Sequence, residues 1–110
     1  MSFTVTTHGD VCIIEVEGQL IVGNRQDLKK KALDEMDKGT RKILIDFART
    51  GYIDSSGLGA LVSLAKKIRE MGGELRLANL NDDLQKLFEL TKLDTLFQIS
   101  ETRERAVESF

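Results

Sequence analysis

The chain has no proline and no tryptophan, and only one cysteine, one histidine and one tyrosine among its 110 residues. With no proline, no internal repeat and no low-complexity segment, nothing reads as a linker, and one domain over residues 1–110 is expected. A single cysteine, Cys12, excludes an internal disulfide and a cysteine-based metal site; it lies in an apolar run and reads as a small core residue. No apolar run approaches about 20 residues, so no membrane-spanning helix is expected. The start of the chain, Met1-Ser2-Phe3-Thr4-Val5, lacks the basic and apolar regions of a signal peptide, and the protein is expected in the cytoplasm. A formal net charge of −2 argues against a nucleic-acid partner, which selects a basic patch. Lys29-Lys30-Lys31 is the one run of three like charges and reads as the solvated face of a helix.

What is present is alternation. Phe3 and Val5 alternate with Thr4 and Thr6 in a first strand, and Gly9-Asp10 makes a turn. Val11 to Glu17 gives a second strand with Cys12, Ile14 and Val16 on one face, ending at Gly18. The short turn makes the pair an antiparallel hairpin. Asn24 starts a helix with the stripe Leu28, Ala32, Leu33 and Met36, which stops at Lys38-Gly39. Lys42-Ile43-Leu44-Ile45-Asp46-Phe47 carries three consecutive aliphatics, the mark of a central strand buried on both faces. Ala48 to Ile53 reads as a loop. A second helix runs from Ser55 or Ser56 to Met71 with Leu58, Leu61, Val62, Ala65 and Ile68 inward, and Gly72-Gly73 ends it. Glu74 to Ala78 is a further strand. Asn81 caps a third helix holding Leu84, Leu87, Phe88 and Leu90. Leu96 to Ile99 pairs at a sheet edge, and Ser100 caps a last helix with Ala106 and Val107. The expected fold is α/β: a mixed sheet, built from an N-terminal hairpin plus βαβ units and covered by about four helices.

The most informative stretch is Ile53-Asp54-Ser55-Ser56-Gly57-Leu58-Gly59. It places two hydroxyls after a carboxylate where a strand-like run meets an amphipathic helix. Backbone N–H groups are unpaired there and the helix dipole is positive, so a phosphoryl group would be tolerated. The same residues are also good capping chemistry with no further role. Ser56 is expected to cap the helix, with Asp54 either a second cap or a group that orients the Ser55 hydroxyl. Gly57 is read as allowing close approach of a partner, Gly59 as allowing close helix–sheet packing. Leu58 is either core or a partner contact, and Tyr52 and Ile53 either flank the site as apolar contacts or anchor the loop. His8, beside a turn, reads as solvated.

This order of elements, with Asp54-Ser55-Ser56-Gly57-Leu58-Gly59, resembles the STAS domain of bacterial anti-sigma factor antagonists over essentially the whole chain. Gly18-Gln19-Leu20 is similar to the family's Gly-x-Leu after the second strand, and Gly72-Gly73-Glu74-Leu75 to its Gly-Gly before a later strand. Leu87-Phe88 and Leu96-Phe97 fall where the family has late apolar pairs. The resemblance implies a switch protein whose unphosphorylated form binds an anti-sigma factor and so frees the sigma factor. That partner is also a serine kinase with a histidine-kinase-like ATP fold. Phosphorylation of the hydroxyl after the motif's aspartate, here Ser55, breaks the complex, and a serine phosphatase restores it. Asp54, Ser56, Gly57 and Leu58 are the implied partner-binding residues, and no cofactor or metal is implied. Many antagonists carry Asp directly after Gly-x-Leu; this chain has Ile21, and its Ile21-Val22-Gly23 loop is more apolar than the family pattern.

Two other functions compete with this reading. One is a STAS scaffold or adaptor subunit of a stress-signalling or transport complex, not gated by Ser55. The other is a serine-nucleophile enzyme. A nucleophile elbow needs glycine two residues before the serine, where Ile53 stands, and the lone histidine lies on the distant hairpin. There is no Gly-Lys-Ser/Thr phosphate loop and no third glycine of a dinucleotide fingerprint. No enzymatic activity is expected.

Overall fold

Runs rich in β-branched residues pair Ser2–His8 (β1) with Val11–Leu20 (β2) as an antiparallel hairpin, in unbroken register from Ser2↔Glu17 to His8↔Val11. The computed structural model describes residues 2–110; Met1, the first residue of the expected domain, lies outside them. After β2 come α1 (Arg25–Asp37), β3 (Lys42–Asp46), β4 (Thr50–Ile53), α2 (Ser55–Glu70) and β5 (Glu74–Ala78). They are followed by α3 (Asp82–Leu90), a 3-10 turn at Leu93–Thr95, β6 (Gln98–Ser100) and α4 (Arg103–Ser109). The sheet runs β1-β2-β3-β5-β6, antiparallel only at the first pair. The expected mixed sheet covered by four helices is thus the fold observed, with one strand more than the sequence suggested.

That extra strand comes with two corrections. Gly18 does not end β2, which runs on to Leu20. Nor is Ala48 to Ile53 a loop throughout, because Thr50–Ile53 pairs in parallel with the end of β2. Gly18 sits at φ +93, and the register shifts between Gly18 and Gln19. A bulge here turns β2 from one partner to the next: Val11–Glu15 pairs with β3, and Gly18–Leu20 with β4. Thr50 secures the change of partner, its buried hydroxyl donating to Val16 O at 2.6 Å.

The main core lies between the sheet and helices α1 and α2. Ile14, Val16, Leu20, Leu28, Ile43, Ile45, Leu61, Leu64 and Ile68 are fully buried in it. Leu64, outside the expected stripe, belongs there, whereas Leu90 of α3 is 82% exposed. On the opposite face a smaller cluster, Val11, Ile13, Leu44 and Ala78, is covered by Ala106 of α4. The consecutive aliphatics of β3 therefore do serve both faces. Arg103 fastens α4: its Nε donates to Asp46 Oδ2 at 2.7 Å and its guanidinium to Glu15 Oε2 at 2.9 Å. Asp46 is almost fully buried, and its other oxygen accepts from Asn79 Nδ2 and Ala48 N. The cap of α4 is Thr102, which accepts from Arg105 N, and not Ser100, which lies in β6. Asn81 caps α3 as expected, accepting from Leu84 N at 2.8 Å. Asn24 precedes α1 as expected, but its side chain bonds Ile21 N and Gln19 O, holding the chain that enters the helix.

Candidate functional site

The site is the start of α2, set by β4 beneath it and by the loop after β2 beside it. Ile53 is buried and anchors the end of β4. Asp54 then leaves the strand in an extended conformation and becomes the N-cap. Its Oδ1 accepts from Gly57 N at 2.7 Å, filling one of the donors that a helix start leaves open. Its Oδ2 accepts from Val22 N at 3.2 Å, and its own N–H donates to Leu20 O at 3.1 Å. One residue thus joins the helix start to the Ile21-Val22-Gly23 loop, 32 positions away in the chain. Capping therefore falls to Asp54 and not to Ser56, because the carboxylate has the reach to satisfy N3 while its second oxygen serves the loop.

Ser55 is the first residue of α2 and is exposed; Ser56 is half-buried. No hydrogen bond within the chain engages the Ser55 hydroxyl among the described residues. No acidic residue occupies the first turn of α2, and Lys67 and Arg69 sit in its last turn, where they complement the dipole. Asp54 is the nearest negative charge in sequence to that hydroxyl.

The close packing expected of Gly59 falls to Gly57 instead. A Cβ on Gly57 would stand 2.5 Å from Leu20 O and 2.9 Å from Ile53 Cγ2, so Gly57 is the residue that lets α2 close on the sheet. A Cβ on Gly59 would meet nothing within 4 Å. Leu58, left open between core and contact, is 7% exposed and packs in the main core. Gly57 and Leu58 therefore lie under the surface that Ser55 presents. Tyr52 and Val22 are outside the core, at 57% and 62% exposed, and Ile53 is inside it. Sequence reasoning missed the Val22 contact, since nothing local to Val22 signals a bond to a carboxylate so distant in the chain.

Other candidates stay apart from this site. His8 is exposed at the hairpin turn. Cys12 is buried in the sheet, and burial pushes its thiol up to about 11. No group of three His, Cys, Asp or Glu residues suited to a metal occurs among the described residues. No helix among them is long and apolar enough to cross a membrane.

The sequence profile of the STAS domain matches residues 2–106. The Anti-sigma-B factor antagonist of Staphylococcus aureus is 29% identical over 104 residues, covering 94% of this chain and 96% of that protein. The crystal structure of a provisionally assigned anti-sigma factor antagonist from Thermotoga maritima superposes with a TM-score of 0.89 at 31% identity. It covers 97% of this chain and 92% of that one. SpoIIAA shares the fold in its unphosphorylated and phosphorylated forms, each with a TM-score of 0.75, at 20% and 21% identity. Those matches cover 98% of this chain and 96% and 98% of the two SpoIIAA chains.

Proposed function

Because the chain belongs to the STAS domain family, among the bacterial anti-sigma factor antagonists, we propose that it is a binding switch gated at Ser55. In this reading the unphosphorylated protein is cytoplasmic, binds an anti-sigma factor that is also a serine kinase, and frees the sigma factor. Transfer forms a bond from Ser55 Oγ to the terminal phosphorus of ATP and breaks the bond to ADP. The kinase supplies the ATP and accepts the hydroxyl proton. A serine phosphatase hydrolyses the phosphoester. The protein contributes a surface and a hydroxyl, and no catalytic group.

One observation carries the reading: the Ser55 hydroxyl is exposed and unengaged, while its neighbour Asp54 does the structural work of the helix start. Modification therefore removes no hydrogen bond from the fold. A phosphate adds roughly −1.5 to −2 charge at pH 7. The helix dipole favours it and the Asp54 carboxylate opposes it, so the net effect on the domain's stability is small. The consequence falls on the complex, where a desolvated interface formed around a neutral hydroxyl acquires an unpaired dianion. Asp54 and Ser56 share that surface, with Gly57 and Leu58 fixing its position from below.

The test is a paired capture from lysate of the source cell, with folded Ser55→Ala and Ser55→Asp proteins as baits. An ATP-binding kinase held by Ser55→Ala and lost from Ser55→Asp, which also phosphorylates the wild-type protein at Ser55, is the expected result. Identical partners on both baits, with no phosphate incorporated at Ser55, would refute the gate and leave an adaptor.

A further inference from the structure

The two ends of the sheet differ in how they meet solvent. At one end β6 has three residues, too short to template another strand. At the other end β1 has seven, with β2 on one side and, among the described residues, no strand on the other. Natural edges are guarded by charged side chains, proline, a bulge or brevity. β1 has none of these. Its sequence Ser2-Phe3-Thr4-Val5-Thr6-Thr7-His8 holds no Lys, Arg, Asp, Glu or Pro, and its register on β2 is unbroken. Thr4, Val5, Thr6 and Thr7 are four successive β-branched residues, all exposed.

We propose that β1 is a self-association edge, on which a second copy of this chain adds its own β1 antiparallel about a two-fold axis through Val5. The axis makes the pairing self-complementary. Val5 meets the other Val5, Phe3 meets Thr7, and Thr4 meets Thr6. Phe3, Val5 and Thr7 stand opposite Val16, Ile14 and Cys12 of β2, on the core face; Thr4 and Thr6 stand opposite Glu15 and Ile13. Each pair therefore joins residues of one face, as antiparallel pairing requires, and the pairs are of aromatic, β-branched and threonine types that favour sheets. The neutral strand sets no like charges against each other across the axis. Val5, one of five exposed large hydrophobics among the described residues, gains its cover. The occupant is a second copy because the axis satisfies all these pairs at once with a strand present at the protein's own concentration. One strand per partner makes a small interface, so the association is weak. The two α2 starts stay free, giving one particle with two Ser55 sites. The inference does not depend on the role of Ser55.

Sedimentation equilibrium over a wide range of protein concentration, on the full chain, tests the association. The weight-average mass should rise from 12.3 kDa toward twice that value. Val5→Lys should weaken the rise at least tenfold while leaving the circular dichroism spectrum unchanged. Geometry is tested by mild oxidation of Val5→Cys and Thr4→Cys, with Cys12 buried. The axis puts the two residues at position 5 at about 5 Å between Cα atoms, within disulfide range, and those at position 4 beyond the limit of about 7 Å. Val5→Cys should therefore cross-link much faster than Thr4→Cys. A constant monomer mass at every concentration, or equal cross-linking of the two variants, would overturn the proposal.

Discussion

Gly57→Ala and Gly59→Ala should move stability in opposite directions, although the two glycines are two residues apart on one helix. Alanine in place of a helical glycine gains about 0.5–1 kcal/mol from backbone entropy. At Gly59 nothing lies within 4 Å of the added Cβ, so that gain is kept. At Gly57 the methyl would stand 2.5 Å from Leu20 O, 2.9 Å from Ile53 Cγ2 and 3.1 Å from Leu20 C. Two of these atoms are backbone, and a strand cannot swing aside as a side-chain tip can. The start of α2 must lift by nearly 1 Å, at an overpacking cost of about 1–3 kcal/mol. The Asp54 N to Leu20 O bond spans the same gap, and its loss adds about 1 kcal/mol. The net expectation is roughly 1–3 kcal/mol of destabilisation for Gly57→Ala. At about 5 °C per kcal/mol for a domain of this size, thermal melts should place Gly59→Ala above wild type and Gly57→Ala at least about 5 °C below it. Urea titrations at equal m-values would give the same order. A Gly57→Ala protein as stable as wild type would refute the claim that α2 rests on the β2 backbone through this glycine.

Asp54→Ala should cost about 1–2 kcal/mol through the lost cap, and the Val22 amide should exchange faster than in wild type when followed by NMR. Arg103→Met removes a partner of buried Asp46. It should cost about 2 kcal/mol, less than for a fully buried pair because Arg103 is one-third exposed, and the loss of protection should concentrate in α4. Cys12 has a thiol raised by burial, then by Glu35, from 9.0 to about 11. The stability this group contributes is complete below about pH 9, because folded and unfolded chains both hold the proton there, and is lost as pH rises toward 11. Denaturation midpoints for Cys12→Ala against wild type over that range should show the slope only in wild type, and alkylation of Cys12 at pH 8 should follow unfolding.

Where chemistry was local, the sequence was readable. Gly9-Asp10 made the hairpin turn, Asn81 capped α3, and Gly39 took the left-handed position at φ +105. What escaped depended on residues distant in the chain. Thr50–Ile53 contains a glycine and an exposed tyrosine, and is a strand only because the bulge at Gly18 brings Gln19 and Leu20 alongside it. The roles of Gly57 and Gly59 could not be separated by sequence, since the carbonyl that singles out Gly57 belongs to Leu20. At the proposed switch the motif put Ser55 at the start of α2, while the division of labour between Asp54 and Ser56 needed the geometry of Gly57 N and Val22 N.

The change of partner along β2 also divides the domain's resistance to opening. The first half of that strand lies between β1 and β3, inside a sheet that continues through β5 to β6. Its last residues hold β4, which among the described residues has β2 as its sole strand neighbour. Breaking the short β2–β4 ladder frees the platform under α2 and leaves every pairing of the central strands intact. Gly18 thus marks a place where the side that bears Ser55 can open locally while the pairings of the central strands are kept.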